Sequence, residues 1–258
     1  MGSTRGRKII PSRHSKKIHG RSAVRGRHPP TDRHCLPPIG KKKALLVGFS
    51  FGSLIGLQAV AESPERYHGY VGLSHFVTIL ESEEILDIEG RARAARKSET
   101  EILAKLEKIG PPPYKNHPQE RVVNALIKNL VIEDTKNPFP ASEYIGSALW
   151  SKYYKPQNFV GLALGRNFSG KALEDEIYTI DARDHVNRIE VPMLWISGKQ
   201  DTTLSQTLAH EYFGQIKDPH GKEFIWLEDV AHPVHLEAPS TFQTAIREFS
   251  SKKLGVLK

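Results

Sequence analysis

Cysteine is nearly absent from this chain: Cys35 stands alone among 258 residues, so no disulfide can form within it. A reducing, cytoplasmic setting is therefore expected. No run of eighteen apolar residues occurs, and no membrane span is expected. No apolar stretch follows the first residues, so no secretory signal is expected either. The start Met1-Gly2-Ser3-Thr4-Arg5-Gly6 lacks the Ser or Thr that N-myristoylation takes at its sixth position. No internal repeat is visible.

Acidic residues are almost missing from one part only. Residues 1–43 hold 13 Lys and Arg against a single acid, Asp32. The other 215 residues hold 24 basic and 28 acidic side chains. The formal net charge of +8 therefore belongs to the N-terminal segment, and the body is mildly acidic. Low hydrophobicity with high charge predicts disorder over 1–43. The segment has no aromatic residues on which bases could stack, which disfavours nucleic acid as a partner. The composition switches abruptly at Lys43/Ala44. The expectation is that 1–43 arose from a shifted reading frame or a mis-set exon.

From Ala44 onward the pattern is α/β. Ala44–Phe49 is a short apolar run, as a strand buried on both faces requires. Ser50–Glu62 reads as a buried helix that Pro64 stops, and His68–Leu73 reads as the next strand. Strand, sharp turn, helix and strand make a parallel βαβ unit. Residues 79–109 read as helical up to the stop at Gly110-Pro111-Pro112-Pro113. Helical patches follow at Val122–Ile132 and Ser142–Tyr153. Strands resume at Pro192–Gly198 and Glu223–Leu227, with helices marked by Leu204, Leu208 and Tyr212 and by Phe242, Ile246 and Phe249.

Between the first strand and helix stands Gly48-Phe49-Ser50-Phe51-Gly52. By itself G-x-S-x-G is weak, since composition alone produces one in roughly every ten chains of this length. Between a buried strand and a buried helix it reads as a nucleophile elbow, with Gly48 and Gly52 leaving room where the two elements crowd. The N–H of Phe51, at the helix N-terminus, would then be one oxyanion donor. A serine nucleophile also needs a base and a carboxylate to orient it. Asp201 follows the third strand and His232 follows the fourth, and carboxyl ends of parallel strands converge on one crevice. Each has a plainer reading. Asp201 could be a helix cap or turn former, and His232 is one of 12 histidines, with His235 close by.

With these residues in place, the chain from Ala44 resembles the α/β-hydrolase superfamily, and within it the proline-iminopeptidase-like serine hydrolases. The likeness rests on "LLVGFSFGSLIGL", "SPERYHGYVGLSH", "IGPPPY", "VPMLWISGKQDTT" and "LEDVAHPVHLEAPSTFQ". It implies a Ser50–His232–Asp201 triad beneath a helical lid, cleaving an ester, amide or related acyl bond of a small molecule or peptide without a cofactor or metal. The core would be residues 44–78 and 181–258, and the cap residues 79–180. The fold expected is a partial one, a mostly parallel sheet of four recognisable strands with an inserted helical cap. The superfamily places further strands before the elbow, and a His-Gly-rich loop among them gives the second oxyanion donor. His19-Gly20 in "KIHGRSAV" is a poor match, having no buried strand before it. Impaired turnover is expected, together with an exposed sheet edge open to self-association. The alternative is a non-catalytic, hydrolase-like remnant that binds a ligand beneath the lid. For an aminopeptidase, Glu133, Asp134 and Glu143 are candidates to hold a substrate amine.

Overall fold

The computed structural model describes residues 43–114, 117–131, 134–136, 176–255 and a few isolated positions between 138 and 173. The segment expected to be disordered, Lys43 excepted, and the helix expected at Ser142–Tyr153, Gly146 excepted, lie outside the described residues.

Four strands form one sheet: β1 (Ala44–Phe49), β2 (Tyr67–Leu73), β3 (Met193–Gly198) and β4 (Lys222–Leu227). They lie in sequence order and every pair is parallel. The register aligns Phe49 with Leu73, Leu73 with Ile196, and Gly198 with Leu227. All four carboxyl ends therefore meet along one rim. The residues that leave that rim are Ser50, Ser74, Lys199 and Glu228, each with a loop behind it.

Helix α1 (Phe51–Glu62) makes the first crossover. After β2 come α2 (Ile79–Arg96), α3 (Thr100–Ile109) and α4 (His117–Val131). Helix α5 (Gln206–Gln215) joins β3 to β4, and α6 (Val234–Glu237) and α7 (Pro239–Phe249) close the chain. Side chains alternate across the sheet, as pleating requires. Tyr70, Met193 and Trp195 pack with Leu54, Leu57 and Val60 of α1 and Leu208 and Tyr212 of α5. Val71, Leu73, Leu194 and Ile196 face the other way, onto Val234 and Phe249. Helices thus cover both faces, and β2 and β3 are buried almost throughout.

Strand β1 differs. Its sequence is as apolar as that of β3, yet it is mostly half-buried, and Val47 is 42% exposed. Among the described residues its one strand neighbour is β2. Burial of a strand comes from its neighbours as well as its composition.

The sequence pattern also suggested one helical stretch over 79–109. The structure breaks it in two at Lys97–Glu99, where Ser98 has φ 58° and its N–H returns to the Ala95 carbonyl. The two helices are then tied together. Arg91 pairs with the buried Asp87 at 2.7 Å and reaches the carbonyls of Leu106 and Gly110 at the end of α3. Among the described residues no helix is long and apolar enough to cross a membrane.

Candidate active site

Ser50 lies between β1 and α1 with φ 54° and ψ −130°, a backbone state that costs on the order of 1–3 kcal/mol for a residue with a side chain. The surrounding structure imposes it. The Ser50 N–H donates to the Leu73 carbonyl across the sheet at 3.0 Å. Its carbonyl accepts the Ser53 N–H at 2.9 Å and the Ser53 hydroxyl at 2.6 Å. Ser53 is itself fixed, since its Oγ accepts the Phe76 N–H and its carbonyl accepts the Tyr70 hydroxyl. The elbow is therefore held through backbone atoms, which leaves the Ser50 side chain unencumbered by structural bonds.

Gly48 is needed at this turn. A Cβ there would sit 2.7 Å from the Gly52 carbonyl oxygen and from the Ser53 Cα. Gly52 is different, and the crowding expected of it is not found, since a Cβ would meet nothing within 4 Å. Strand and helix approach most closely at the first glycine, and the second faces open space.

The three residues singled out by the sequence meet. His232 Nε2 is 3.0 Å from Ser50 Oγ, and His232 Nδ1 is 2.8 Å from Asp201 Oδ2. The two oxygens of Asp201 have different partners. Its Oδ1 accepts the N–H groups of Thr203 and Leu204 and so forms the turn, while Oδ2 faces the imidazole and also accepts from Gln206 Nε2 at 3.0 Å. Gln206 is oriented in turn by the Ser197 hydroxyl. A carboxylate with four donors around it is fixed in place and remains an acceptor toward His232.

Burial opposes the charged form of His232. The Asp201 carboxylate, by charge and by hydrogen bond, and the Glu237 charge together outweigh it, and the pKa stands above the ordinary value of 6.5. Two other histidines are shifted the opposite way. His235 packs against Phe49 and Phe242, and burial and the His232 charge both lower its pKa. His75 is 1% exposed and stacked on Trp195 at 3.6 Å, and burial pushes its pKa down to about 3.

An imidazole must be neutral to accept a proton. Activity that uses His232 as base should therefore fall as pH drops through a midpoint above 6.5. A kcat/KM profile against pH checks this. An acid limb centred below 6 would contradict the arrangement.

Phe51 begins α1, so its N–H has no acceptor within the helix. Sequence reasoning missed Ser53, Tyr70, Ser74, Gln206 and Glu237, which hold Ser50, Asp201 and the His232 loop from behind. Ser74 alone carried a signal, since it leaves the end of β2 just as Ser50 leaves that of β1. Of the carboxylates suggested for a substrate amine, Asp134 pairs with Arg93 at 2.8 Å and Lys97 at 3.3 Å. Glu133 and Glu143 lie outside the described residues. A cleft of about 500 Å³ between α2, Lys199 and Trp226 reaches Asp201, but Ser50 does not line it. Among the described residues no three His, Cys, Asp or Glu side chains are grouped to hold a metal ion.

No protein-family profile matches the chain. It is similar to the probable aminopeptidase YbaC of Bacillus subtilis (strain 168), with 29% identity over 217 residues. That match takes in 82% of this chain, and the chain spans 66% of that relative's length. Among solved structures, a bacterial membrane phospholipase A superposes with a TM-score of 0.52 at 16% identity, over 84% of this chain and 59% of that one. A proline iminopeptidase-related protein of Thermus thermophilus superposes with a TM-score of 0.49 at 14% identity, over 86% and 69%.

Proposed function

We propose that this chain, whose fold is that of the α/β hydrolases, is a serine hydrolase that cleaves an ester, amide or related acyl bond. The observation that carries the reading is the continuous hydrogen-bonded line from Ser50 Oγ through the His232 ring to Asp201 Oδ2. In this mechanism Ser50 Oγ attacks the acyl carbon while its proton passes to His232 Nε2. The carbonyl electron pair moves onto oxygen, where the Phe51 N–H meets it. The intermediate collapses, and the leaving group departs with the proton from His232. Water then attacks the acyl-Ser50 ester with His232 again as base, which releases the acid and restores the hydroxyl. Asp201 keeps Nδ1 protonated and stabilises the imidazolium.

A second reading, a hydrolase-like protein with little or no turnover, is favoured by the half-exposed β1. The superfamily's second oxyanion donor comes from a loop upstream of the elbow strand, and no described residue supplies that loop. Loss of one such donor typically costs about a hundredfold or more in turnover.

A fluorophosphonate probe tests whether Ser50 is activated, because it needs only an activated serine, and turnover of substrate by the labelling-competent chain then separates the two readings. Intact mass should show one phosphonyl group per chain, on Ser50. A folded chain that resists labelling would sink the hydrolase reading. Substrates for the follow-up are p-nitrophenyl esters and aminoacyl amides, the latter suggested by the aminopeptidase name of the Bacillus subtilis relative.

A further inference from the structure

The base of this site sits on a loop, and a loop must be anchored if its imidazole is to stay within hydrogen-bond reach of Ser50. Two buried side chains take hold of the backbone around His232. Ser74 leaves the end of β2 with φ 44° and is wholly buried. Its N–H donates to the Ile196 carbonyl of β3 at 3.0 Å, which aims the side chain. Its hydroxyl then donates to the His232 carbonyl at 2.6 Å, across 158 residues of sequence. Glu237, 5% exposed at the end of α6, accepts the N–H of Ala231 at 2.6 Å. The chain on either side of the His232 Cα is therefore gripped, one clamp from the sheet and one from the helix that follows.

We propose that Ser74 and Glu237 are positioning residues for His232, with Ser74 fixing the ring's place and Glu237 both fixing it and acting on it by charge. The inference rests on reading His232 as the catalytic base. Glu237 grips the residue directly before His232, which puts its carboxylate near enough to the imidazole for its charge to favour the protonated ring. The ring itself meets Asp201 from the loop after β3 and Ser50 and the Phe49 ring from the elbow. Glu237 and His235, both on α6, act on it by charge. Asp201 and His235 oppose one another in their effect on a protonated ring, and Glu237 adds a second negative charge on the side of Asp201.

The two roles come apart under substitution. Glu237→Gln keeps an oxygen acceptor for Ala231 but removes the charge. Glu237→Asp keeps the charge but withdraws the acceptor by one methylene. Ser74→Ala removes the hydroxyl and nothing else. Titration of the ¹⁵N-labelled imidazoles in the full chain reads His232 without requiring turnover, with its signal assigned by its loss in His232→Gln. Glu237→Gln should move the His232 midpoint down, whereas Ser74→Ala should leave it in place. In kinetics, Ser74→Ala and Glu237→Asp should each lower kcat by about tenfold or more with KM within twofold, since they misplace the base without touching substrate binding. An unmoved midpoint in Glu237→Gln overturns the charge role. Unaltered kcat in Ser74→Ala and Glu237→Asp overturns the positioning role. Should the chain resist fluorophosphonate while the midpoint still moves, the hydrolase reading fails and the Glu237 effect on His232 stands.

Discussion

Ser50→Ala is expected to abolish hydrolysis, lowering kcat for an activated ester by a factor on the order of 10⁴ or more, with folding unaffected. The separation of the two effects follows from how the elbow is held. Every structural bond at Ser50 runs through its backbone: the N–H to Leu73, and the carbonyl from Ser53. The side-chain oxygen has His232 as its partner. Alanine keeps the Cβ and therefore the same strain at φ 54°. The thermal midpoint should shift by no more than a few degrees while activity and fluorophosphonate labelling both disappear. A variant that keeps more than a tenth of the activity would show that another nucleophile acts.

The second large effect is expected at Gly198, where β3 ends. A Cβ there would lie 2.1 Å from the Val230 carbonyl oxygen and 2.4 Å from that of Ala231. Both are backbone atoms, so no rotamer can relieve the clash. The loop that carries His232 must move, or the end of β3 must. Lys199 and Gln200, which donate to the Leu227 and Val230 carbonyls, tie those two segments together and resist either movement. Gly198→Ala should therefore cost about 3 kcal/mol or more, at the upper end of overpacking effects. Activity should drop by roughly a hundredfold in whatever fraction folds, because the base is displaced. Thermal unfolding and kinetics measure the two parts. Gly52→Ala is the control, since open space there predicts no loss of stability.

These expectations show what the sequence could carry. The strands were legible to within a residue or so, because each is a short apolar run bounded by a glycine, a proline or a polar turn. Ser50, Asp201 and His232 were legible because each follows such a run, and parallel strands bring their carboxyl ends to one rim. The break at Lys97–Glu99 was not legible. Helical spacing of apolar residues continues on both sides of it, and Ser98 adopts a left-handed conformation that its side chain does not announce. The apolar run of β1 read as buried on both faces, and its exposed edge was expected only from the strands not found before it. Composition reports what a strand can bury, whereas burial depends on what lies beside it. The clamps at Ser74 and Glu237 and the support from Gln206 are tertiary bonds, and nothing local to those residues encodes their partners.

The distance in sequence between Ser50 and His232 orders the events of folding. Ser50 and His232 are 182 positions apart, and β2 and β3 are adjacent in the sheet although the whole α2–α4 region is threaded between them. The βαβ unit around the elbow can assemble from local contacts, but the imidazole reaches the hydroxyl only after the long connection between β2 and β3 has closed. The meeting of Ser50 and His232 is thus a late event, set by the docking of the C-terminal third. A nascent chain can hold a complete elbow while still lacking any means to use it.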